Sequence, residues 1–184
     1  FGRDMLMRIL WAIRSSLFMG ALSIALSCIV GGLLGAIAGY YGGKLDNVIM
    51  RIMDVFLAIP SMLLAIAIVA AFGTSLVNVL LAIGISYVPT FARILTVKGQ
   101  EYIEAAKAVG ASDFRIIFKY ILPNSMAPII VQVTLGVAGA ILSIAGLSFL
   151  GLGIQPPTPE WGAMLSGARS YIRSSWHITV IPGL

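Results

Sequence analysis

Gly43-Lys44 is the part of the chain that comes nearest to a phosphate-binding loop. Such a loop has the pattern G-x-x-x-x-G-K-[ST], in which backbone amides hold the phosphates and the lysine reaches the terminal ones. Here Leu45 follows the lysine, and Ala38 stands where the first glycine belongs. We therefore predict that the chain itself holds no ATP and no other cofactor, and that any nucleotide hydrolysis takes place on a partner.

Residues suited to metal binding, disulfide formation or catalysis are also scarce. His177 is the single histidine and Cys28 the single cysteine, so the chain cannot build a histidine-based metal cluster or an internal disulfide. We interpret Cys28 as a small apolar filler. The few acidic residues fall in loops, which leaves no credible Ser/His/Asp arrangement. The chain is predicted not to be an enzyme, with no catalytic, cofactor or metal site.

The longest charged stretch, Arg93–Lys119, contains most of a helix–glycine–helix pattern. Residues 101–109 can form a short helix, and Gly110 follows where a helix commonly ends in a left-handed backbone. Ser112 is predicted to cap a second helix with Asp113 in its first turn. Pro123 is predicted to end that helix or to mark the bend into the next one.

Each of these short helices has an apolar face. The first groups Tyr102, Ala105, Ala106 and Val109, and the second groups Phe114, Ile117 and Ile121. Such faces fit two helices lying on a lipid surface, and they also fit helices that dock into a groove on a partner. The spacing leaves both interpretations open.

Composition indicates a membrane protein. Of the 184 residues 59% are hydrophobic and 10% charged, against about 25% charged residues in soluble domains. Residues 15–43, 55–92 and 120–159 carry no charge. Because a helix needs roughly 20 apolar residues to cross a bilayer, we predict an all-α, polytopic transmembrane helical bundle. The predicted spans are Ser15–Tyr40, Val55–Phe72, Leu76–Ala92 and Ala127–Leu150.

Several local features refine this outline. Pro60 is predicted to bend or break the second span, and Met5–Arg14 to form a short interfacial helix before the first. Gln155–Pro159 is predicted to be a stiff loop, followed by a surface helix over Glu160–Ser175. Asp54 is predicted to pair with Arg51 rather than to serve as a proton site.

Small side chains recur every four residues along the first span. They are Ser23, Ser27, Gly31, Gly35 and Gly39. Helix association in lipid has little hydrophobic drive and depends on close backbone approach. We predict that these residues form a helix-packing face; a pore lining is the weaker alternative.

Four spans place the loops at 42–54 and 93–119 on one side, and the N-terminal segment and the 155–176 loop on the other. The first side carries Lys44, Arg51, Arg93, Lys98, Lys107, Arg115 and Lys119, and the second Arg3, Arg8, Arg14, Arg169 and Arg173. Seven basic residues against five favour the first side as cytoplasmic. The net charge of +5 is assigned to basic loops beside anionic head groups, and no nucleic-acid partner is expected.

The helix–glycine–helix segment carries a resemblance to a known family. Its motif residues are Glu104-Ala105-Ala106, then Gly110 after three residues, then Ile121-Leu122-Pro123. This spacing resembles the EAA loop of ABC importer permeases. In the general pattern one residue separates the isoleucine from Leu-Pro, whereas Ile121 is adjacent here and Tyr120 takes the other place. The core spacing from Glu104 to Gly110 is kept.

Further segments narrow the family. They are Gly2-Arg3-Asp4, Leu147–Gly153 and Gln155–Gly162. Together they resemble the dipeptide/oligopeptide/nickel permease group, and within it the second of the two related permease subunits. The likeness covers nearly the whole chain.

The resemblance implies a type I ABC importer permease fold, with 1–184 as one transmembrane domain and 93–123 as a cytoplasmic coupling (EAA) loop within it. It also implies a heterodimer with a homologous second permease subunit, two cytoplasmic ABC ATPase subunits and an extracytoplasmic substrate-binding protein, in a prokaryotic cell (inner or plasma) membrane. By position, the ATPase-coupling contact is assigned to Glu104, Ala105, Ala106, Gly110, Leu122 and Pro123.

The start and end of the sequence suggest a fragment. Phe1 is not an initiator, and His177–Leu184 begins a new apolar run. We expect a piece that lacks at least one span at its start and most of one at its end.

The predicted function is the permease subunit of an ATP-driven importer for peptides or related small solutes, in which closure of the ATPases switches access across the membrane. One alternative keeps this mechanism and changes the cargo to nickel or another non-peptide solute. A second is an ion-gradient-driven secondary transporter, which would want polar or acidic groups in mid-span. A third is a structural membrane subunit with no path of its own.

Overall fold

All regular structure in the described part of the chain is helical, so the predicted all-α fold is confirmed. The computed structural model describes residues 4–96, 101–154 and 158–183. Predictions that involve Phe1, Gly2, Arg3, Lys98, residues 155–157 or Leu184 fall outside these residues. The elements are α1 (Met5–Tyr41), α2 (Gly43–Ala58), α3 (Ser61–Phe72), α4 (Leu76–Leu95), α5 (Glu101–Ala108), α6 (Asp113–Ile116), a π-helix (Ile117–Ile121), α7 (Leu122–Asn124), α8 (Met126–Phe149), α9 (Trp161–Ala168), a 3₁₀ turn (Arg169–Tyr171) and α10 (His177–Gly183).

The first helix is longer than predicted. Asp4 caps it, since its Oδ1 accepts a hydrogen bond from the Met7 amide at 3.1 Å, and the helix then runs without a break for 37 residues. At 1.5 Å per residue that is about 55 Å, well beyond the ~30 Å hydrocarbon core. The separate interfacial helix expected over Met5–Arg14 is therefore wrong. No glycine or proline separates that segment from the predicted span, so one helix continues through both.

The second predicted span is divided in two. Its approach, predicted to be a polar connection up to Asp54, is already helical from Gly43 onward. The chain leaves the helix at Ile59 (φ −94°, ψ 125°), because proline lacks an amide hydrogen and disfavours the helical conformation at the residue before it. The break predicted at Pro60 is confirmed, and the boundary at Val55 is corrected. By itself α3 is about 18 Å long, too short to cross a bilayer.

Among the residues that the structure describes, three helices are long and apolar enough to span a membrane: α1, α4 and α8. A fourth span is counted if α2 and α3 are taken together as one broken span. The four predicted spans correspond to this larger count. Within α4 the helix continues through Pro89.

The helix predicted over Glu160–Ser175 is shorter, and its start is not at the surface. Glu160 is 1% exposed and caps α9, with Oε1 accepting from the Gly162 amide at 3.0 Å and Oε2 from the Ala163 amide at 2.8 Å. Gly162 lies against α8, where an added Cβ would come 2.1 Å from the Ala145 carbonyl oxygen. The start of α9 is therefore fixed by a buried carboxylate and a backbone contact.

The chain divides into two compact units. Unit 1 contains the described residues of Phe1–Ile24, Met62–Ile83 and Val137–Leu184, and unit 2 those of Ala25–Ser61 and Gly84–Gly136. Within unit 1 the Ser15 hydroxyl donates to the Pro159 carbonyl at 2.9 Å, and the Asn78 amide group donates to the Phe72 carbonyl at 2.6 Å. Unit 2 holds the helix–glycine–helix segment and the end of α1.

Candidate functional site

A glycine turn ends α5. Gly110 has a φ of +76°, which only glycine adopts at little cost. Its amide donates to the Lys107 carbonyl at 3.0 Å, and the next amide, of Ala111, donates to the Ala106 carbonyl at 3.1 Å. This pair of bonds is the Schellman motif, which satisfies carbonyls at a helix end. The prediction that a left-handed glycine ends the first short helix is confirmed.

The short helices on both sides of the turn share a buried cluster with α1. We call this cluster the loop core. Its members are Ala36, Ile103, Ala106, Ile116, Ile117 and Ile121, none more than 9% exposed. The partly buried Tyr40, Ala111 and Tyr120 pack against it. The loop is therefore a folded unit built on the last turns of α1, and its core residues face each other rather than lipid.

The predicted second apolar face is only partly right. Ile117 and Ile121 lie in the loop core, but Phe114 is 70% exposed. Its ring stacks on Phe118, with centroids 4.3 Å apart. Residues four apart share a helix face, so the two phenylalanines form one face and the two isoleucines another.

The predicted first face divides in the same way. Ala106 is 5% exposed and belongs to the loop core, whereas Val109 is 81% exposed and Glu104 and Ala105 are also exposed. Successive helix residues are about 100° apart, so neighbouring alanines cannot both face inward. The side chain of Tyr102 lies outside the described part of the structure. Of the coupling residues predicted on α5, Glu104 and Ala105 are exposed, and Ala106 is buried in the loop core.

We call five of the exposed residues of the loop its outer surface: Glu104, Ala105, Val109, Phe114 and Phe118. The basic residues Lys107, Arg115 and Lys119 are also exposed on this segment. The outer surface combines one carboxylate with bulky apolar groups on both sides of the Gly110 turn. Large exposed apolar groups of this kind fit a partner-binding surface as well as a lipid surface.

Asp113 lies in the first turn of α6, as predicted, and it also binds the end of α1. Ser112 stands at the N-cap position of α6, but its side chain makes no capping hydrogen bond. Asp113 accepts two hydrogen bonds from the end of α1: Tyr40 Oη donates to Oδ1 at 2.6 Å, and Tyr41 Oη donates to Oδ2 at 2.9 Å. The hydrogen bond from Tyr40, followed by that from Tyr41, lowers the pKa of Asp113 below its ordinary value, and the nearby Lys107 charge lowers it further. The carboxylate is therefore charged at neutral pH.

Leu122 and Pro123 follow the π-helix within continuous helical backbone. Leu122 is half-buried and Pro123 is exposed. The helix does not end at Pro123 but two residues later, at Ser125 (φ −94°, ψ 0°). A proline removes one hydrogen bond and crowds the carbonyl four residues back, and the turn that precedes it, Ile117–Ile121, is π-helical.

Four of the five small residues predicted to form a packing face lie against the backbone of α4. The contacts pair Ser23 with Leu80 in unit 1, and Ser27 with Gly84, Gly31 with Val88 and Gly35 with Ala92 in unit 2. The Ser27 hydroxyl donates to the Gly84 carbonyl at 2.6 Å. An added Cβ at Gly31 would come 2.3 Å from the Val88 carbonyl oxygen, and Gly39 is half-buried. The two serine pairs share a separation of 57 residues, which two helices running in the same direction produce.

The predicted Arg51–Asp54 pair is wrong. Asp54 on α2 forms its salt bridge with Arg93 near the end of α4, both within unit 2. Both side chains are about half exposed, so the pair is expected to contribute only about 0–1 kcal/mol. Its clear effect is to hold α2 beside the end of α4.

The structure gathers no group of three or more histidine, cysteine, aspartate or glutamate side chains that could hold a metal, within the residues it describes. Cys28 lies half-buried in α1. His177 begins α10 with its ring edge-to-face against Trp176, at 6.2 Å between centroids.

Relatives with known names cover the whole chain. It is 47% identical to the di/tripeptide transport system permease protein DppC of Pseudomonas aeruginosa, 52% identical to the dipeptide transport system permease protein DppC of Alkalihalophilus pseudofirmus, and 46% identical to the glutathione transport system permease protein GsiD of Pectobacterium atrosepticum. Each match takes in 100% of this chain and 62% of the relative. The chain therefore spans about three fifths of the length of these relatives.

The fold also has a solved counterpart, the MetNI methionine ABC transporter in inward-facing conformations. The TM-score is 0.78 at 17% identity, over 99% of this chain and 89% of that chain. The fold is thus that of a type I importer permease, as expected. Residues 31–181 match the family described as "Binding-protein-dependent transport system inner membrane component", which agrees with the predicted multi-pass membrane protein that is not an enzyme. The chain belongs to this family of transport-system inner membrane components.

Proposed function

We propose that this chain is the permease subunit of an ATP-driven importer for peptides or related small solutes, and that its 93–123 loop receives the movement of the ATPases. The loop core carries the proposal. It packs α5, α6 and the π-helix onto the end of α1 through six buried residues. A partner that moves the loop therefore moves a folded body attached to a transmembrane helix.

The outer surface of the loop is the proposed contact with an ATPase subunit. Its residues flank the Gly110 turn and offer apolar side chains with one carboxylate, which suits helix-in-groove docking. Glu104 and Ala105 make the contact, Gly110 sets the angle between the helices, and Ala106, Leu122 and Pro123 hold the shape. ATP is bound and hydrolysed on the partner subunits.

The remaining partners complete the proposed assembly. The chain forms one transmembrane permease domain that pairs with a homologous second permease subunit, and a substrate-binding protein delivers solute from the opposite side. Relatives that match the whole chain are named for di/tripeptide, dipeptide and glutathione transport. Short peptides are accordingly the proposed cargo, with the loop on the cytoplasmic side.

Docking is tested by co-purification of the ATPase subunits with the variant Gly110→Pro. Proline cannot adopt the φ of +76° found here, and it removes the amide that donates to Lys107. The matched control is Gly110→Asn, because asparagine tolerates the left-handed region best among other residues. We expect the proline variant to insert in the membrane but to lose the ATPases and ATP-driven uptake, while the asparagine variant keeps both. Normal ATPase retention and uptake by Gly110→Pro would refute the proposal.

Energy source, cargo and sidedness are tested in proteoliposomes that contain the complete transporter. Uptake of a labelled dipeptide should require ATP on the ATPase side and should not follow an imposed ion gradient. Competition by unlabelled dipeptide and glutathione, but not by nickel, supports the peptide assignment. For sidedness, Ser112→Cys in a Cys28→Ala background should react with a membrane-impermeant thiol reagent from the cytoplasmic side alone.

A further inference from the structure

Two adjacent tyrosines at the end of α1 bind one carboxylate on α6. Tyr40 donates to one oxygen of Asp113 at 2.6 Å, and Tyr41 donates to the other at 2.9 Å. The tyrosine rings are edge-to-face, 5.0 Å apart between centroids at 80°. Because both oxygens are held from neighbouring residues of one helix, the direction of the carboxylate is fixed relative to α1.

Tyr40 also contacts the other short helix. The Lys107 Nζ of α5 lies 4.4 Å from the centroid of the Tyr40 ring, within the distance of a cation–π interaction. One turn earlier on the same face of α1, Ala36 lies in the loop core. The end of α1 therefore holds α5 through the face of one ring, α6 through two hydroxyls, and both through the buried cluster.

These polar contacts are exposed, which limits what they add to stability. Interactions between exposed charged or polar groups contribute little to the free energy of folding, and the six buried residues of the loop core already hold the loop in place. The hydrophobic drive behind this packing is non-directional, whereas hydrogen bonds depend on direction. Two hydrogen bonds to one carboxylate supply such a directional contact.

We propose that Asp113 is a positioning residue that, through Tyr40 and Tyr41, makes α1 follow the movement of the coupling loop. This inference rests on the proposed function. An ATPase subunit moves the outer surface of the loop, α6 turns with it, and the carboxylate passes the turn to the end of α1. Without this attachment the loop moves, but α1 follows it only loosely.

The test compares two rates in the complete reconstituted transporter: substrate-stimulated ATP hydrolysis and solute uptake. The variants are Asp113→Asn, Tyr40→Phe/Tyr41→Phe and the triple combination, with Arg115→Gln as the control. Arg115 is exposed on the same short helix and forms no hydrogen bond or ion pair with any described residue. Its substitution also changes the charge of the loop by one.

We expect ATPase co-purification and hydrolysis near the wild-type level in every variant. Uptake per ATP should fall by about fivefold or more, the lower end of typical coupling between sites, in Asp113→Asn and in the tyrosine double variant. The triple variant should be no worse than either, because groups that act as one unit are non-additive. A ratio unchanged in Asp113→Asn, or lowered equally in Arg115→Gln, overturns the inference.

Failure of the proposed function looks different. If Gly110→Pro keeps its ATPases, or if wild-type uptake needs no ATP, the proposed function is refuted and the inference with it. If Gly110→Pro loses the ATPases while Asp113→Asn couples normally, the proposed function stands and the positioning role is refuted.

Discussion

Gly35 lies so close to Ala92 that a Cβ atom added at position 35 would come 2.1 Å from the Ala92 carbonyl oxygen. The backbones of α1 and α4 touch there, within unit 2. In lipid such close approach supplies the van der Waals contact that holds helices together. Since the end of α1 also carries the loop, this seam links the loop to a second candidate span.

We predict that Gly35→Ala destabilises the protein and that Gly32→Ala does not. At position 35 the added methyl meets backbone, which cannot move aside, and overpacking of this kind typically costs about 1–3 kcal/mol. At position 32 the only close atom is Cδ1 at the flexible end of Leu95, at 2.8 Å. Thermal unfolding of the purified transporter in detergent measures the difference. Equal midpoints for the two variants would contradict the tight seam.

The glycine positions were the most predictable part of this molecule. A small residue repeated every four positions places small side chains on one helix face, and Gly31 and Gly35 lie against backbone on that face. Gly110 was predictable for a similar reason, because a left-handed helix end strongly favours glycine. In each case the absence of a side chain is itself the signal.

The direction of single side chains on the short helices was not predictable in the same way. Ala105 and Ala106 are chemically identical, and only the packing partner, the isoleucines and Ala36, decides that Ala106 faces inward. The phenylalanine pair fits an apolar face as well as the isoleucines do, so spacing alone grouped Phe114 with the wrong neighbours. The π-helical turn has no sequence signal apart from the proline that follows it.

We predict opposite outcomes for the same substitution at the two alanines. Ala106→Asp places a carboxylate inside the loop core, at a cost of at least ~2 kcal/mol, and should open the loop to proteolysis. Ala105→Asp leaves the fold intact but adds an unpaired charge to the outer surface. We expect it to weaken ATPase binding by about tenfold or more, equivalent to ~1.4 kcal/mol.

Limited proteolysis and an affinity titration with the ATPase subunits separate these two effects. Protease resistance should match the wild type in Ala105→Asp and be lost in Ala106→Asp. Were Ala105→Asp to bind the ATPases with unchanged affinity, the assignment of the outer surface as the docking site would be wrong.

The pH dependence of the loop attachment follows from Asp113. Its pKa lies below the ordinary value of 3.8 because the hydroxyls of Tyr40 and then Tyr41 bond to the charged form, with the Lys107 charge adding to this. A carboxyl group whose pKa is lower in the folded state than in the unfolded state stabilises the folded protein at pH values above its unfolded-state pKa. That contribution is lost as the pH falls through the folded-state pKa.

The stability difference between wild type and Asp113→Asn should therefore stay constant from neutral pH down to about 4 and shrink below it. Unfolding midpoints of the two proteins in matched buffers provide the measurement. A difference that stays constant below that pH would mean that the Asp113 pKa is not lowered and that the tyrosine bonds are absent in solution.

Glu160 was missed by sequence reasoning because glutamate is not among the favoured N-cap residues, which are serine, threonine, aspartate and asparagine. In the structure its two side-chain oxygens accept hydrogen bonds from the backbone amides of Gly162 and Ala163. The Glu160 side chain is buried there. The partial positive charge of a helix N-terminus favours a carboxylate there. This cap holds Gly162 against α8.

We predict that Glu160→Ala lowers the free energy of unfolding by about 1–3 kcal/mol, because the substitution leaves buried amides without an acceptor. The control is Ser166→Ala on the same helix, where an exposed hydroxyl donates to the Phe149 carbonyl at 3.0 Å. Losing that bond should cost no more than about 1 kcal/mol. Hydrogen exchange over residues 161–168 should become faster in Glu160→Ala and stay near wild type in Ser166→Ala. Identical exchange in both variants would mean that α9 is held by the Gly162–Ala145 contact alone, and that the buried carboxylate does not fix its start.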